Sequence, residues 1–148
     1  KIGTMKKNIK PEKYVWNETD FNDLGWHDNR IHAVFFVHVD FTFSISIDYI
    51  YRWEENFVGY WVTPARMSFM NISNLKINIS FNDMSDLIIE DITRSEQRIT
   101  PNGLLIENEY IVRTNVGIIS LFSTGFELQL KQDPEFSESQ DVRLKNIP

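Results

Sequence analysis

The stretch Ile31-His32-Ala33-Val34-Phe35-Phe36-Val37-His38-Val39-Asp40-Phe41-Thr42-Phe43-Ser44-Ile45-Ser46-Ile47-Asp48-Tyr49-Ile50-Tyr51-Arg52-Trp53 carries an apolar side chain at every odd position. Its even positions are mostly polar: His32, His38, Asp40, Thr42, Ser44, Ser46, Asp48 and Arg52, with Val34, Phe36 and Ile50 as exceptions. Successive side chains of a strand point to opposite faces, so alternation of period two marks strands with one face buried. No helix could gather these odd positions on one side.

Laid out as one strand, the segment would run about 75 Å at roughly 3.3 Å per residue, too long for a small domain. It must fold back. A two-residue hairpin loop joins positions of opposite parity, so the unbroken pattern calls for an odd-length loop or a bulge. The bend is expected at His38-Val39-Asp40, with Asp40 in the left-handed conformation such loops use. This register places Val37 opposite Phe41 and Ile31 opposite Ile47. On the polar face His32 then lies opposite Ser46 and diagonal to Asp48, and Arg30 faces Asp48.

Working outward, residues 56–62 read as a strand carrying Phe57, Tyr60 and Trp61, and Pro64 is expected to break or edge the ladder. Residues 66–72 and 75–81 read as strands joined through Ser73-Asn74. Residues 87–93 are ambiguous: β-branched content favours a strand, and a short helix capped by Asp83 or Ser85 is the alternative. Thr100-Pro101-Asn102-Gly103 signals a turn. Strands are expected at 104–112, 117–122 and 126–130, with Gly125 as a bulge or tight bend where the apolar parity shifts. The sum is an all-β single domain of about eight or nine short antiparallel strands with little helix, a β-sandwich or a flattened barrel. Residues 5–131 would form that domain, 132–148 a polar C-terminal tail, and 1–4, standing before Met5, a vector remnant.

The chain has 148 residues, the usual size of one domain, and buries enough surface to stand without staples. It has no cysteine, which excludes disulfides, thiolate–zinc sites and cysteine nucleophiles. A formal charge of −6 argues against non-specific binding to nucleic acid or an anionic membrane, so neither is expected as a partner. No apolar run approaches the roughly 20 residues that span a bilayer, and no leader is read near Met5, so the expected location is cytoplasmic. The sequons at Asn17, Asn71 and Asn78 are read as accidents of composition.

The segment Asp20-Phe21-Asn22-Asp23-Leu24-Gly25-Trp26-His27-Asp28-Asn29-Arg30-Ile31-His32 is the richest in chemistry, with two of the three histidines. Trp26, His27, Asp28, His32 and Asp48 are the candidate ligand- or partner-binding residues. His27, Asp28, His32 and Asp48 could together bind a divalent metal or act as a general acid–base pair. The plainer reading pairs them across strands on a solvated face, and Arg30 opposite Asp48 would occupy the carboxylate. Trp26 and Gly25 read equally well as a core anchor and a turn residue. No nucleophile elbow, phosphate loop or H-E-x-x-H motif is present, so no catalytic residue, metal ligand or cofactor is assigned. Tyr49, Tyr51, Trp53, Phe57, Tyr60 and Trp61 could line a pocket or interface, although the alternation sends Tyr49, Tyr51 and Trp53 into the core.

Leu24-Gly25-Trp26-His27-Asp28, then Ile47-Asp48-Tyr49-Ile50 with Trp53, and Ser123-Thr124-Gly125-Phe126 resemble the pattern of a family of bacterial proteins without an assigned function. The likeness spans residues 14–130. It implies no activity and draws attention to Trp26, His27, Asp28 and Asp48. Without reaction machinery, the reading leans away from an enzyme. It favours a non-enzymatic binding module holding a protein partner or small ligand, one version being an acidic immunity-type protein that neutralises a toxin. The alternatives are the metal-dependent use of the His27/Asp28/His32/Asp48 cluster and a subunit that oligomerises by an edge strand.

Overall fold

The computed structural model describes residues 8–55, 58–82 and 86–138. The expected remnant at 1–4, the start of the 56–62 strand, the helix caps Asp83 and Ser85, and residues 139–148 of the expected tail lie outside these. The described chain forms two antiparallel sheets and no closed barrel, which settles the architecture as sandwich-like. One sheet has the order β1 (Val15–Asn17), β10 (Gly125–Leu130), β4 (Tyr60–Met70), β3 (Thr42–Trp53), β2 (Arg30–Val37), and β11 (Glu135–Ser137) pairs with β4 beyond the end of β10. The other has the order β5 (Ser73–Ile79), β9 (Gly117–Ser123), β8 (Ile106–Thr114), β6 (Ile89–Arg94), with β7 (Arg98–Ile99) also on β8.

The odd residues of β3 follow their spacing as far as Tyr49, but past an irregularity between Ile50 and Arg52 the expected inward placement fails: Tyr51 is only half-buried and Trp53 is exposed. Phe43, Ile45, Ile47 and Tyr49 lie in the core with Met67 and Phe69 of β4 and Phe126 and Leu128 of β10. From the other sheet Ile89, Ile92, Tyr110, Val112, Ile119 and Leu121 close on them. Each such side chain contributes about 1.5–3 kcal/mol by leaving water.

The hairpin differs from expectation in one informative way. Ile31 does pair with Ile47 and Arg30 with Asp48, but Val37 pairs with Thr42, not Phe41. The extra residue is in β2, as a bulge between Ile31 and Ala33, so His32 and Ala33 together oppose Ser46. Past the bulge the parity of β2 inverts: Val34 and Phe36 pair with the core residues Ile45 and Phe43, while Phe35 pairs with the outward Ser44. The left-handed residue of the loop is Phe41, with φ 52, and not Asp40. Asp40 instead uses its carboxylate to accept a hydrogen bond from the Thr42 N–H at 3.2 Å.

Pro64 does not end a strand. β4 runs through it unbroken. Its carbonyl accepts from Lys131 N at 2.9 Å, so its nitrogen faces the same way, into the gap after β10 ends at Leu130 and before β11 begins at Glu135. The missing N–H therefore costs no ladder bond. Residues 89–94 are a strand, which resolves the helix alternative for 87–93. Gly125 follows the point where the chain leaves one sheet for the other, held by Ser123 Oγ donating to the Met70 carbonyl at 2.7 Å. The expected polar tail is partly structured, because Glu135, Phe136 and Ser137 pair with Val62, Trp61 and Tyr60. A six-residue 3₁₀ helix, Glu18–Asp23, was not anticipated; Asn17 caps it, and Phe21 from it enters the core.

Candidate functional site

The candidate site lies on the outer face of the first sheet, where β2, β3 and β4 run side by side. The pairing Arg30–Asp48–Pro64 crosses all three strands, and Ser46 and Ser44 of β3 stand beside Arg66 and Ser68 of β4. Residues directly opposite one another share a face, so Arg30, Asp48, Arg66, Ser44 and Phe35 look outward together.

At the centre is an imidazole–carboxylate pair. His32 Nε2 lies 2.8 Å from Asp48 Oδ2; the carboxylate is fully buried and the His32 side chain 11% exposed. Neither Nε2 nor either Asp48 oxygen makes a hydrogen bond of acceptable angle, so the contact is one of proximity. The bulge lies at this point, His32 and Ala33 together opposing Ser46, two residues along β3 from Asp48.

Arg30 stands across from Asp48, yet its Nη2 lies 3.0 Å from Asp86 Oδ2, a second carboxylate beyond the β2 edge. The expectation that Arg30 would occupy Asp48 is therefore corrected: His32 takes that place. Tyr60 completes the surroundings. Burial holds its phenol above the ordinary range, the Asp28 and Asp48 carboxylates add to the shift, and Arg30 opposes it.

Asn29 was overlooked as a building element. It is fully buried; its Oδ1 accepts from Ile50 N at 3.0 Å and its carbonyl accepts from Ile89 N at 2.8 Å. These bonds tie the entry to β2 to both sheets and fix where Arg30 and His32 begin. An Asn flanked by Asp28 and Arg30 gives no sequence signal of burial, since Asn is more often exposed.

The remaining candidates separate. Trp26 is buried against Phe21, Tyr49 and Phe126, as a core anchor would be. His27 is largely exposed and pairs with the neighbouring Asp28 at 2.9 Å, where Asp28 takes a left-handed turn conformation, φ 68. The four expected cluster members thus form two pairs, His27–Asp28 and His32–Asp48. Among the described residues no group of three or more His, Asp or Glu is placed to hold a metal ion. No described helix is long and apolar enough to cross a membrane.

Further along the face, the Arg66 guanidinium lies 5.2 Å from the centre of the half-exposed Phe35 ring, and the Ser44 and Ser68 hydroxyls are 2.9 Å apart. Phe35 and Asp48 are separated by the four-residue step from Ser44 to Asp48, about 13 Å of strand.

No family model matches the chain and no solved structure matches it. Among curated proteins it is similar to the chloroplastic endoribonuclease YBEY of Arabidopsis thaliana, 24% identical over 139 residues. That similarity covers 94% of this chain and 22% of the relative, so the chain spans about a fifth of the protein it matches. The similarity overturns two expectations. A likeness to an enzyme contradicts the non-enzymatic binding module, the immunity-type version included, and a likeness to an endoribonuclease contradicts the exclusion of nucleic acid as a partner. Net charge governs non-specific attraction and does not by itself exclude a site that uses local cations and stacking surfaces.

Proposed function

We propose that this chain acts on RNA as an endonucleolytic module, with His32, backed by Asp48, handling the proton of the reacting ribose hydroxyl. The observation that carries this reading is the His32–Asp48 contact, in which an imidazole at the edge of an outward face lies 2.8 Å from a buried carboxylate. Such a pair orients the ring and stabilises the imidazolium formed when it takes a proton. With Nε2 turned to Asp48, Nδ1 is the nitrogen left to act. His32 would accept the 2′-hydroxyl proton as that oxygen attacks the adjacent phosphorus. The P–O5′ bond then breaks, leaving a 2′,3′-cyclic phosphate, and the departing 5′ oxygen takes a proton from water.

The rest of the face suits the same substrate. Phe35, about 13 Å along the sheet from Asp48, offers a ring with the Arg66 cation beside it, a surface on which an unpaired base stacks. Single-stranded RNA is the substrate class such a flat, aromatic-bearing sheet face favours.

The test is cleavage of an end-labelled single-stranded RNA by the purified chain and by folded His32→Gln, each with chelator and with added magnesium, manganese or zinc. Cleavage that falls at least 100-fold in His32→Gln is expected, the usual scale for loss of a general base. No cleavage by the wild type under any of these conditions, or equal rates in the two proteins, would sink the proposal.

A further inference from the structure

A second concave site lies away from the His32–Asp48 pair, between the segment leading into β1, the end of the 3₁₀ helix and the end of β3. It is a cavity of about 300 Å³, at the small end of ligand pockets. Its walls are Trp16, Tyr49, Tyr51 and Leu24. Trp16 and Tyr49 are buried and Tyr51 and Leu24 half-buried. The Trp16 and Tyr51 rings are 6.5 Å apart and inclined at 50°. Tyr51 is fixed in place, its hydroxyl accepting from the Glu12 backbone N–H at 3.0 Å.

The polar lining is mixed in sign. Glu12 and Asp23 bring carboxylates, and Lys13 and Arg52 bring cations. The two cations already have partners: Lys13 lies 3.1 Å from Asp20 and over the Trp16 ring, and Arg52 lies over the Trp61 ring. A strongly cationic ligand would meet Lys13 and Arg52, and a strongly anionic one would meet Glu12 and Asp23. What fits aromatic walls with acceptors and donors together at the mouth is a flat, neutral ring whose edge carries both N–H donors and nitrogen or oxygen acceptors.

We infer that this cavity binds a nucleobase, as a free nucleoside or as one base of a longer strand. The inference goes beyond the cleavage reading and does not depend on it, because base binding here needs neither His32 nor Asp48. Tyr51 supplies a stacking face, and the Glu12 and Asp23 carboxylates accept from the base edge.

Titration calorimetry with adenosine, guanosine, cytidine and uridine, with ribose as control, tests it. At least one nucleoside should bind in the millimolar range or tighter while ribose gives no heat. Tyr51→Phe should retain binding, and Tyr51→Leu and Asp23→Asn should each weaken it tenfold or more in protein that circular dichroism shows to be folded. His32→Gln should bind as the wild type does, so a failure of RNA cleavage would leave this result standing. No heat from any nucleoside, equal affinity in Tyr51→Leu, or a comparable loss in His32→Gln would each overturn the assignment.

Discussion

Asp48 is fully buried with no hydrogen bond of good geometry to its oxygens, and the His32 ring, 2.8 Å away, is the polar group that stands against it. Removing one partner of a buried pair strands the other, at a cost of about 3–5 kcal/mol, whereas removing both charges costs less. We therefore expect His32→Ala to destabilise the fold by that amount, and His32→Ala/Asp48→Asn to recover at least half of it. Urea unfolding of the wild type, the single variants and the double variant measures this coupling. Additive losses would show that the two side chains are near one another without depending on one another. The bulge beside His32 was half legible in the residues. Unbroken odd parity demanded one extra residue somewhere in the hairpin, and only pairing decided that it sits in β2 and not in the loop.

Strands β5 and β9 meet closely where Gly117 pairs with Ile79. Gly117 has φ 150, and a Cβ there would lie 2.0 Å from the Asn78 carbonyl oxygen. Both strain and overlap fall on backbone, which cannot swing aside. Gly117→Ala should accordingly cost about 3 kcal/mol in chemical denaturation, with circular dichroism of the folded fraction unchanged. A loss under about 0.5 kcal/mol, the level of ordinary surface changes, would contradict that reading. At the same scale β2 shows how an edge strand defeats pattern reading. Val34 and Phe36 pair with core residues yet remain half exposed. Pro64 misled in the opposite direction: the general rule places proline at edges, and here a gap between two neighbouring strands lets it sit within one.

For the molecule as a whole, buried phenols set the alkaline limit of stability. Desolvation pushes Tyr49 up to about 12, against some help to the ionised form from the Gly25 backbone, and burial likewise raises Tyr60 and Tyr110. A group with a folded pKa above its unfolded value stabilises fully below the unfolded value, near 10, and loses that contribution as pH rises through the folded one. For Tyr49 a gap of about 2 pH units corresponds to roughly 3 kcal/mol. Stability should thus hold up to about pH 10 and fall between about 10 and 12, and Tyr49→Phe should flatten part of that fall. Unfolding free energies measured across pH 8–12 decide it: parallel curves for the two proteins would remove Tyr49 as the cause.

The alternation in residues 31–53, the turn at 100–103 and the parity shift at Gly125 carried the all-β class and the core positions, because burying one face of a strand imposes a period that no other structure shares. They also carried the juxtaposition of Arg30, His32 and Asp48, since antiparallel register follows once Ile31 faces Ile47. Which side chain meets Asp48, how the candidate residues divide into two pairs, the burial of Asn29 and the cavity beside Tyr51 were decided only in three dimensions. Each depends on contacts between segments far apart in the chain, Arg30 with Asp86 and Glu12 with Tyr51, and the composition of either segment alone does not encode its distant partner.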